Sequence, residues 1–100
     1  MTKKAPQAIA ALAAMCMVPS APATDLHIKV IASTCMNCHG PGGKSLGAVP
    51  GLAGQDSAYL LNAMKEHQSG ARETTVMRRY MNGYTEDEMA KLAEYFSSLK

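Results

Sequence analysis

Two cysteines and a histidine stand close together in the middle of this 100-residue chain. Cys35, Cys38 and His39 form the pattern C-x-x-C-H, and Gly40 follows it. On one helical turn the two thiols point the same way, so each can bond to one vinyl group of a porphyrin. The imidazole of His39 would then lie beneath the iron and could ligate it. The motif therefore predicts one covalently attached c-type haem.

Two other uses of such a cysteine pair fit the sequence less well. A thioredoxin-like redox pair needs a βαβ context, and the chain has no strand-like run of β-branched residues. A zinc site needs a second pair of ligands, which His27 and His67 could supply only at unusual spacings. Haem attachment remains the prediction.

A haem bound by His39 alone leaves the sixth position of the iron open, and electron carriers usually close it with Met or His. Met77 and Met81 are four residues apart, and both could approach the iron. The residues alone leave the choice between them open. Met36 lies inside the motif and cannot fold back over the far face of the haem. Met64 and Met89 fall on apolar helical stripes and are assigned to packing, and His27 and His67 to the surface or to packing.

The first 23 residues have the layout of a secretory signal peptide. Basic Lys3 and Lys4 precede an uncharged, mostly apolar run over 8–18, and small residues stand at Ala21 and Ala23. We expect cleavage after Ala23, which leaves residues 24–100 as a monohaem domain in the periplasm. Export agrees with the motif, because thiols and haem are joined outside the cytoplasm. An uncleaved anchor helix is disfavoured, because two prolines would break it.

Charge and composition narrow the function further. Removing Lys3 and Lys4 from the ten basic residues balances the eight acidic ones, so the predicted mature chain is near neutral. Nucleic-acid binding proteins are usually strongly basic, so that class is excluded. The chain also has no Trp and one Phe, which is little material for a core. Small domains of this kind usually need a disulfide, a metal or a cofactor, and haem would serve here.

Apolar periodicity predicts an all-α domain without an internal repeat. Thr85 and Glu88 form the clearest start signal, a capping box. In chain order the pattern predicts a helix over 25–38 capped by Thr24 or Asp25, a Gly- and Pro-rich loop over 40–54, a helix over 57–68 ended by Gly70, a short helix or turn over 74–81, and a last helix after 85. The predicted core residues are Ile28, Ile31 and Ala32 in the first helix and Met89, Leu92, Ala93, Phe96 and Leu99 in the last.

Nearly the whole chain after residue 23 resembles the class I cytochromes c. It is most similar to single haem domains of bacterial two-haem cytochromes c and to the cytochrome subunit of flavocytochrome c sulfide dehydrogenase. The segments that carry the resemblance are 35–40, Pro50-Gly51-Leu52-Ala53-Gly54-Gln55 with Tyr59-Leu60, Gly70-Ala71-Arg72, Val76-Met77-Arg78, and Leu92-Ala93-Glu94-Tyr95-Phe96.

The resemblance implies a set of site residues. In the family the ligand methionine lies about two helical turns before the residue that caps the final helix. Met77 stands eight residues before Thr85 and matches this position, and Met81 is its rival. Pro50 matches the proline whose carbonyl accepts a hydrogen bond from the proximal histidine. The fold it implies is a set of helices wrapped around one covalent haem.

The activity implied by the resemblance is one-electron transfer, with no catalytic residue in this chain. Gly83-Tyr84-Thr85 is similar to the sulfide dehydrogenase subunit, which implies a flavoprotein partner carrying FAD. That subunit often carries two haems, whereas this chain has one C-x-x-C-H, so a free-standing carrier is the alternative. An open-site haem enzyme or sensor would instead need a polar distal pocket and no Met ligand. No nucleic acid and no membrane span after signal removal are expected.

Overall fold

The structure, a computed structural model, describes the backbone of residues 23–100 and the side chains from residue 26 onward. The predicted signal peptide up to residue 22, including Cys16, lies outside the described residues. Regular structure in the described part is wholly helical, which confirms the predicted all-α class. The elements are α1 (Ala23–His39), a 3-10 turn (Pro41–Gly43), α2 (Ser57–Ser69), α3 (Met77–Met81) and α4 (Glu86–Ser98).

Helix α1 carries the C-x-x-C-H motif on its last two turns. The structure includes Thr24 and Asp25 within α1, so the prediction that one of them is the N-cap is wrong. Ala23 is a strong helix former, and the helix therefore already covers it. The predicted apolar stripe is confirmed, since Ile28, Ile31 and Ala32 are all buried.

Both ends of α2 follow from local chemistry. The Asp56 side chain accepts a hydrogen bond from the Tyr59 amide at 3.0 Å and so caps the first turn. Gly70 ends the helix in a left-handed conformation, with φ of 86°, which only glycine adopts at low cost. The predicted termination at Gly70 is confirmed, and the helix runs one residue beyond the predicted end.

The capping box of α4 is confirmed by two reciprocal hydrogen bonds. The Glu88 amide donates to the Thr85 hydroxyl at 3.1 Å, and the Thr85 amide donates to the Glu88 carboxylate at 2.9 Å. Immediately before it, α3 is a single short helix of five residues. Its first amide, that of Met77, donates to the hydroxyl of Thr74 at 3.0 Å.

The core lies where α4 packs on α1 and α2. Its large, fully buried side chains are Met89 and Leu92. Leu99 is half-buried and lies past the end of α4, so it forms the edge of the core rather than part of it. The buried apolar residues among those described are Ile28, Ile31, Ala32, Leu60, Met81, Met89, Leu92, Ala93 and Phe96. This is a small core for a domain of this length, as the composition predicted.

A hydrogen bond on the surface also joins the first and last helices. His27 Nε2 lies 2.6 Å from the second oxygen of Glu88, whose first oxygen belongs to the capping box. The hydrogen bond from His27 is the largest reason that the pKa of Glu88 lies below its ordinary value, and the Thr85 amide adds to it. The sequence assigned His27 to the surface, and it is exposed; its partner 61 positions away was not foreseen.

The loop between α1 and α2 folds back on itself through two glycines. At Gly40, with φ of 95°, a Cβ would overlap the Lys44 carbonyl. At Gly43 a Cβ would lie 2.9 Å from the Phe96 ring. The Gly43 carbonyl accepts hydrogen bonds from the Leu52 amide at 2.7 Å and from the amide that follows it. The loop is therefore closed against α4, and Pro50 lies on its returning arm.

None of the helices in the described part of the chain is long and apolar enough to cross a membrane.

Substitutions at Thr85 test how much the capping box of α4 contributes to the stability of the protein. We expect Thr85→Ala to lower the free energy of unfolding of the loaded protein by about 1 kcal/mol, because the Glu88 amide loses its acceptor. Chemical denaturation followed by circular dichroism measures it. Thr85→Ser keeps the hydroxyl and should stay close to the unsubstituted protein; equal stability of all three would show that the box contributes nothing.

Candidate functional site

A cavity of about 550 Å³ opens between the four helices and the returning arm of the loop. Its size is within the range of cofactor sites, about 300 to 1,000 Å³. Its walls are mostly apolar, with Leu52 from the loop, Leu60 from α2, and Leu92 and Phe96 from α4. All four helices contribute residues to the walls, so the small core surrounds this space.

Cys35, Cys38 and His39 all line this cavity from the end of α1. Cys35 is half-buried and Cys38 is exposed, and both are free thiols. Burial raises the pKa of Cys35, while a hydrogen bond from Thr34 partly opposes this rise. The Cys35 thiol also donates to the Ile31 carbonyl at 3.5 Å. Both cysteines accordingly lie on one side of the cavity.

The ring of His39 is held by the loop. Its Nδ1 lies 2.6 Å from the carbonyl oxygen of Pro50, and the side chain is largely buried, with 9% of its surface exposed. A carbonyl can only accept a hydrogen bond, so Nδ1 carries the proton and donates it. The other nitrogen, Nε2, then keeps its lone pair, which is the form of imidazole that binds a metal.

Local hydrogen bonds fix the position of the Pro50 carbonyl. The side-chain amide of Gln55 donates a hydrogen bond to the carbonyl of the next residue, Gly51, at 2.6 Å. The Leu52 amide is bound to Gly43, as described above. The loop thus presents one carbonyl to the histidine ring, which lies 11 positions earlier in the chain.

The methionine side chains differ in whether they line the cavity and in how far they are buried. Met77 and Met81, the two candidates from the sequence, both line it from α3. Met81 is almost fully buried, with 2% of its surface exposed, whereas Met77 is half-buried. Met64 also lines the cavity while packing against the core, and Met89 lies in the core itself. The assignment of Met89 to core packing is therefore confirmed.

A polar corner of the cavity was missed by the sequence reasoning. His67 and Arg72 line it, and neither His67 Nδ1 nor Arg72 Nε has a hydrogen-bond partner among the described residues, although both atoms are buried. Burial, and then the charge of Arg72, lowers the pKa of His67. One signal was available: His67 continues the stripe of Leu60, Ala63 and Met64 along α2.

The residues around this cavity fit a covalent haem. Two thiols three positions apart can bond to its vinyl groups, and an imidazole with a free Nε2 and a thioether sulfur can ligate its iron. The mostly apolar walls suit a macrocycle.

Comparison with known proteins agrees with this chemistry. The cytochrome c family profile matches residues 28–100. The cytochrome subunit of sulfide dehydrogenase from Chlorobaculum tepidum is 35% identical over 78% of this chain and 71% of its own length. The thiosulfate dehydrogenase electron acceptor from Stutzerimonas stutzeri is 36% identical over 65% of this chain, which spans 32% of that protein.

A solved structure shares the fold. Cytochrome c4 from Acidithiobacillus ferrooxidans superposes with a TM-score of 0.63 and 37% identity, over 65% of this chain and 38% of that one. The family match, the fold and the donor set agree. This chain belongs to the cytochrome c family: it is an all-α electron-transfer protein with covalently bound haem c.

Proposed function

We propose that this chain carries single electrons in the periplasm through a haem held by Cys35 and Cys38 and ligated by His39 and Met77. The observation that carries the proposal is the hydrogen bond from His39 Nδ1 to Pro50, which leaves Nε2 unprotonated in a cavity that thioether sulfurs also line. In this proposal the haem supplies the redox chemistry when bound.

The role proposed for the protein is to hold both sides of the iron in place. The Pro50 carbonyl fixes the orientation of the His39 ring and makes it a stronger donor. Apolar walls from Leu60, Leu92 and Phe96 limit the access of water. Little has to move between the two oxidation states, which favours fast electron transfer.

Burial supports Met77 over Met81 as the second axial ligand. The thioether of Met81 is enclosed by the protein and acts as packing between α3 and its neighbours. Met77 keeps part of its surface accessible at the cavity, at the position that matches the ligand methionine of the resembling cytochromes. A thioether ligand favours the reduced state, in keeping with an electron carrier.

The ligand assignment can be tested by the visible spectrum. We expect the oxidised protein to show the methionine-to-iron charge-transfer band, and Met77→Ala to abolish it, because the sulfur is removed from the iron. Met81→Ala should lose stability by about 2 to 5 kcal/mol, as large-to-small core changes do, and keep the band.

Two outcomes would contradict this assignment. Loss of the band in Met81→Ala alone would make Met81 the ligand. Absence of the band in the unsubstituted protein, together with rapid binding of cyanide or carbon monoxide, would favour an open-site haem enzyme or sensor.

We also propose that residues 1–23 direct export and are then removed. The protein purified from the periplasmic fraction should have the intact mass of residues 24–100 plus one haem. Ala21→Phe should block cleavage, because signal peptidase needs a small residue at that position. Pro22→Ala should not block it, because the cleavage rule does not specify the middle residue. A haem-loaded product that still begins at Met1 would contradict the proposal.

The electron donor proposed here is a flavoprotein that oxidises sulfide. The printed names of the two relatives, one a subunit of a sulfide dehydrogenase and one an electron acceptor of a thiosulfate dehydrogenase, support a protein donor of this kind. An exposed apolar surface beside the haem-binding motif gives further support. Leu46 is 85% exposed, and with Val49 and Cys38 it lines a shallow second cavity. Exposed apolar patches often mark protein interfaces.

Isolation of the haem protein from its native source tests this partner. We expect flavin and haem to elute in one peak, and Leu46→Asp to weaken that association, because it places a charge in the apolar contact. Leu26→Asp is the matched control, since Leu26 is also exposed but does not line the second cavity. A clean monomer without flavin would favour the free-standing carrier instead.

A further inference from the structure

A glutamine side chain near the end of α2 binds the turn that follows α3. The amide nitrogen of Gln68, Nε2, donates to the carbonyl of Met81 at 2.8 Å and to the carbonyl of Tyr84 at 2.9 Å. A carbonyl can only accept a hydrogen bond, so the nitrogen of the amide, and not its oxygen, faces this turn. Both N–H groups of one side chain are therefore used on carbonyls 13 and 16 positions further along the chain.

Helix α3 depends on contacts of this kind, because it is too short to be stable alone. It has five residues, and an isolated helix of that length does not persist in water. Its first amide is bound locally to Thr74, and the Tyr84 amide closes the next turn on the Met81 carbonyl at 3.1 Å. Within the described part of the chain, no hydrogen bond other than those of Gln68 joins residues 77–84 to another helix. The position of α3 therefore depends on Gln68 and on packing against α2.

We propose that Gln68 is a positioning residue for the axial methionine, because it fixes the helix that carries Met77. This rests on the methionine ligation proposed above. Met77 and Met81 are the first and last residues of α3 and lie about one turn apart, so a shift of its last turn moves both sulfurs. A thioether ligand favours the reduced state, so its bond to oxidised iron is the weaker one and depends most on this support.

The surroundings of the contact make its loss costly. Gln68 is half-buried, and Met81, whose carbonyl it binds, is almost fully buried. Water replaces a hydrogen bond poorly in such a place, and the carbonyl left behind loses a partner. Without the glutamine donor, the end of α3 should therefore separate from α2 more often, and the methionine should leave the iron more often with it.

Cyanide binding to the oxidised, haem-loaded protein tests the proposal, because cyanide reaches the iron only when the methionine leaves. Gln68→Leu removes both donors, and we expect it to bind cyanide about tenfold faster, as the loss of about one net hydrogen bond predicts. Asn62→Leu is the matched control, because it removes an amide of α2 whose hydrogen bond, to Glu66, stays within that helix. Its cyanide-binding rate should equal that of the unsubstituted protein.

A second measurement separates positioning from general stability. The oxidised protein is heated while the methionine-to-iron charge-transfer band and the far-ultraviolet circular dichroism are both followed. In Gln68→Leu the band should disappear at a temperature well below the loss of helicity, because α3 separates before the fold is lost. In Asn62→Leu the two temperatures should keep the separation that they have in the unsubstituted protein.

Gln68→Asn provides the same test if Gln68→Leu does not accumulate with haem. Its amide is withdrawn by one C–C bond, about 1.5 Å, so it cannot reach both carbonyls, and cyanide binding should again be faster. An unchanged cyanide-binding rate in the variant measured would overturn the proposal. So would a band and a helicity that are lost together at one lowered temperature, since Gln68 would then contribute to stability alone. Absence of the band in the unsubstituted protein would instead contradict methionine ligation itself, so the failures of the two proposals are distinguishable.

Discussion

The hydrogen bond between His39 and the Pro50 carbonyl joins the chemistry of this protein to its fold. It sets which imidazole nitrogen carries a proton and leaves the other free to bind a metal, on a side chain that lines the cavity. The same contact ties the end of α1 to a loop that closes on Gly43 and packs against Phe96 of α4. A shift in that loop would therefore alter both the orientation of the ring and the packing of the last helix.

The packing has a related constraint, because the chain has few large apolar side chains to bury. Helix α4 contacts both α1 and α2, and its buried face forms one wall of the cavity as well as part of the core. The haem that the family carries would complete this core, which explains how a small domain with one Phe and no Trp can be stable. Function and stability thus depend on the same apolar walls.

Local signals predicted most of the fold. The capping box at Thr85, the left-handed glycine at position 70 and the apolar stripes of α1 and α4 act over one or two turns, and the structure has each of them. The assignments that failed lie at helix ends. The predicted N-caps at Thr24 and Asp25 are inside α1, because several adjacent residues can end a helix at nearly equal free energy.

The sequence by itself determined the haem attachment motif, the helical class and the two candidate methionines, because each depends on residues a few positions apart. Only the tertiary structure decided which distant groups meet. It brought the Pro50 carbonyl to His39, as the resemblance implied, and closed the Met81 side chain into the core. It also joined His27 to Glu88 across the terminal helices. These contacts depend on how whole helices pack, and no local spacing encodes that packing.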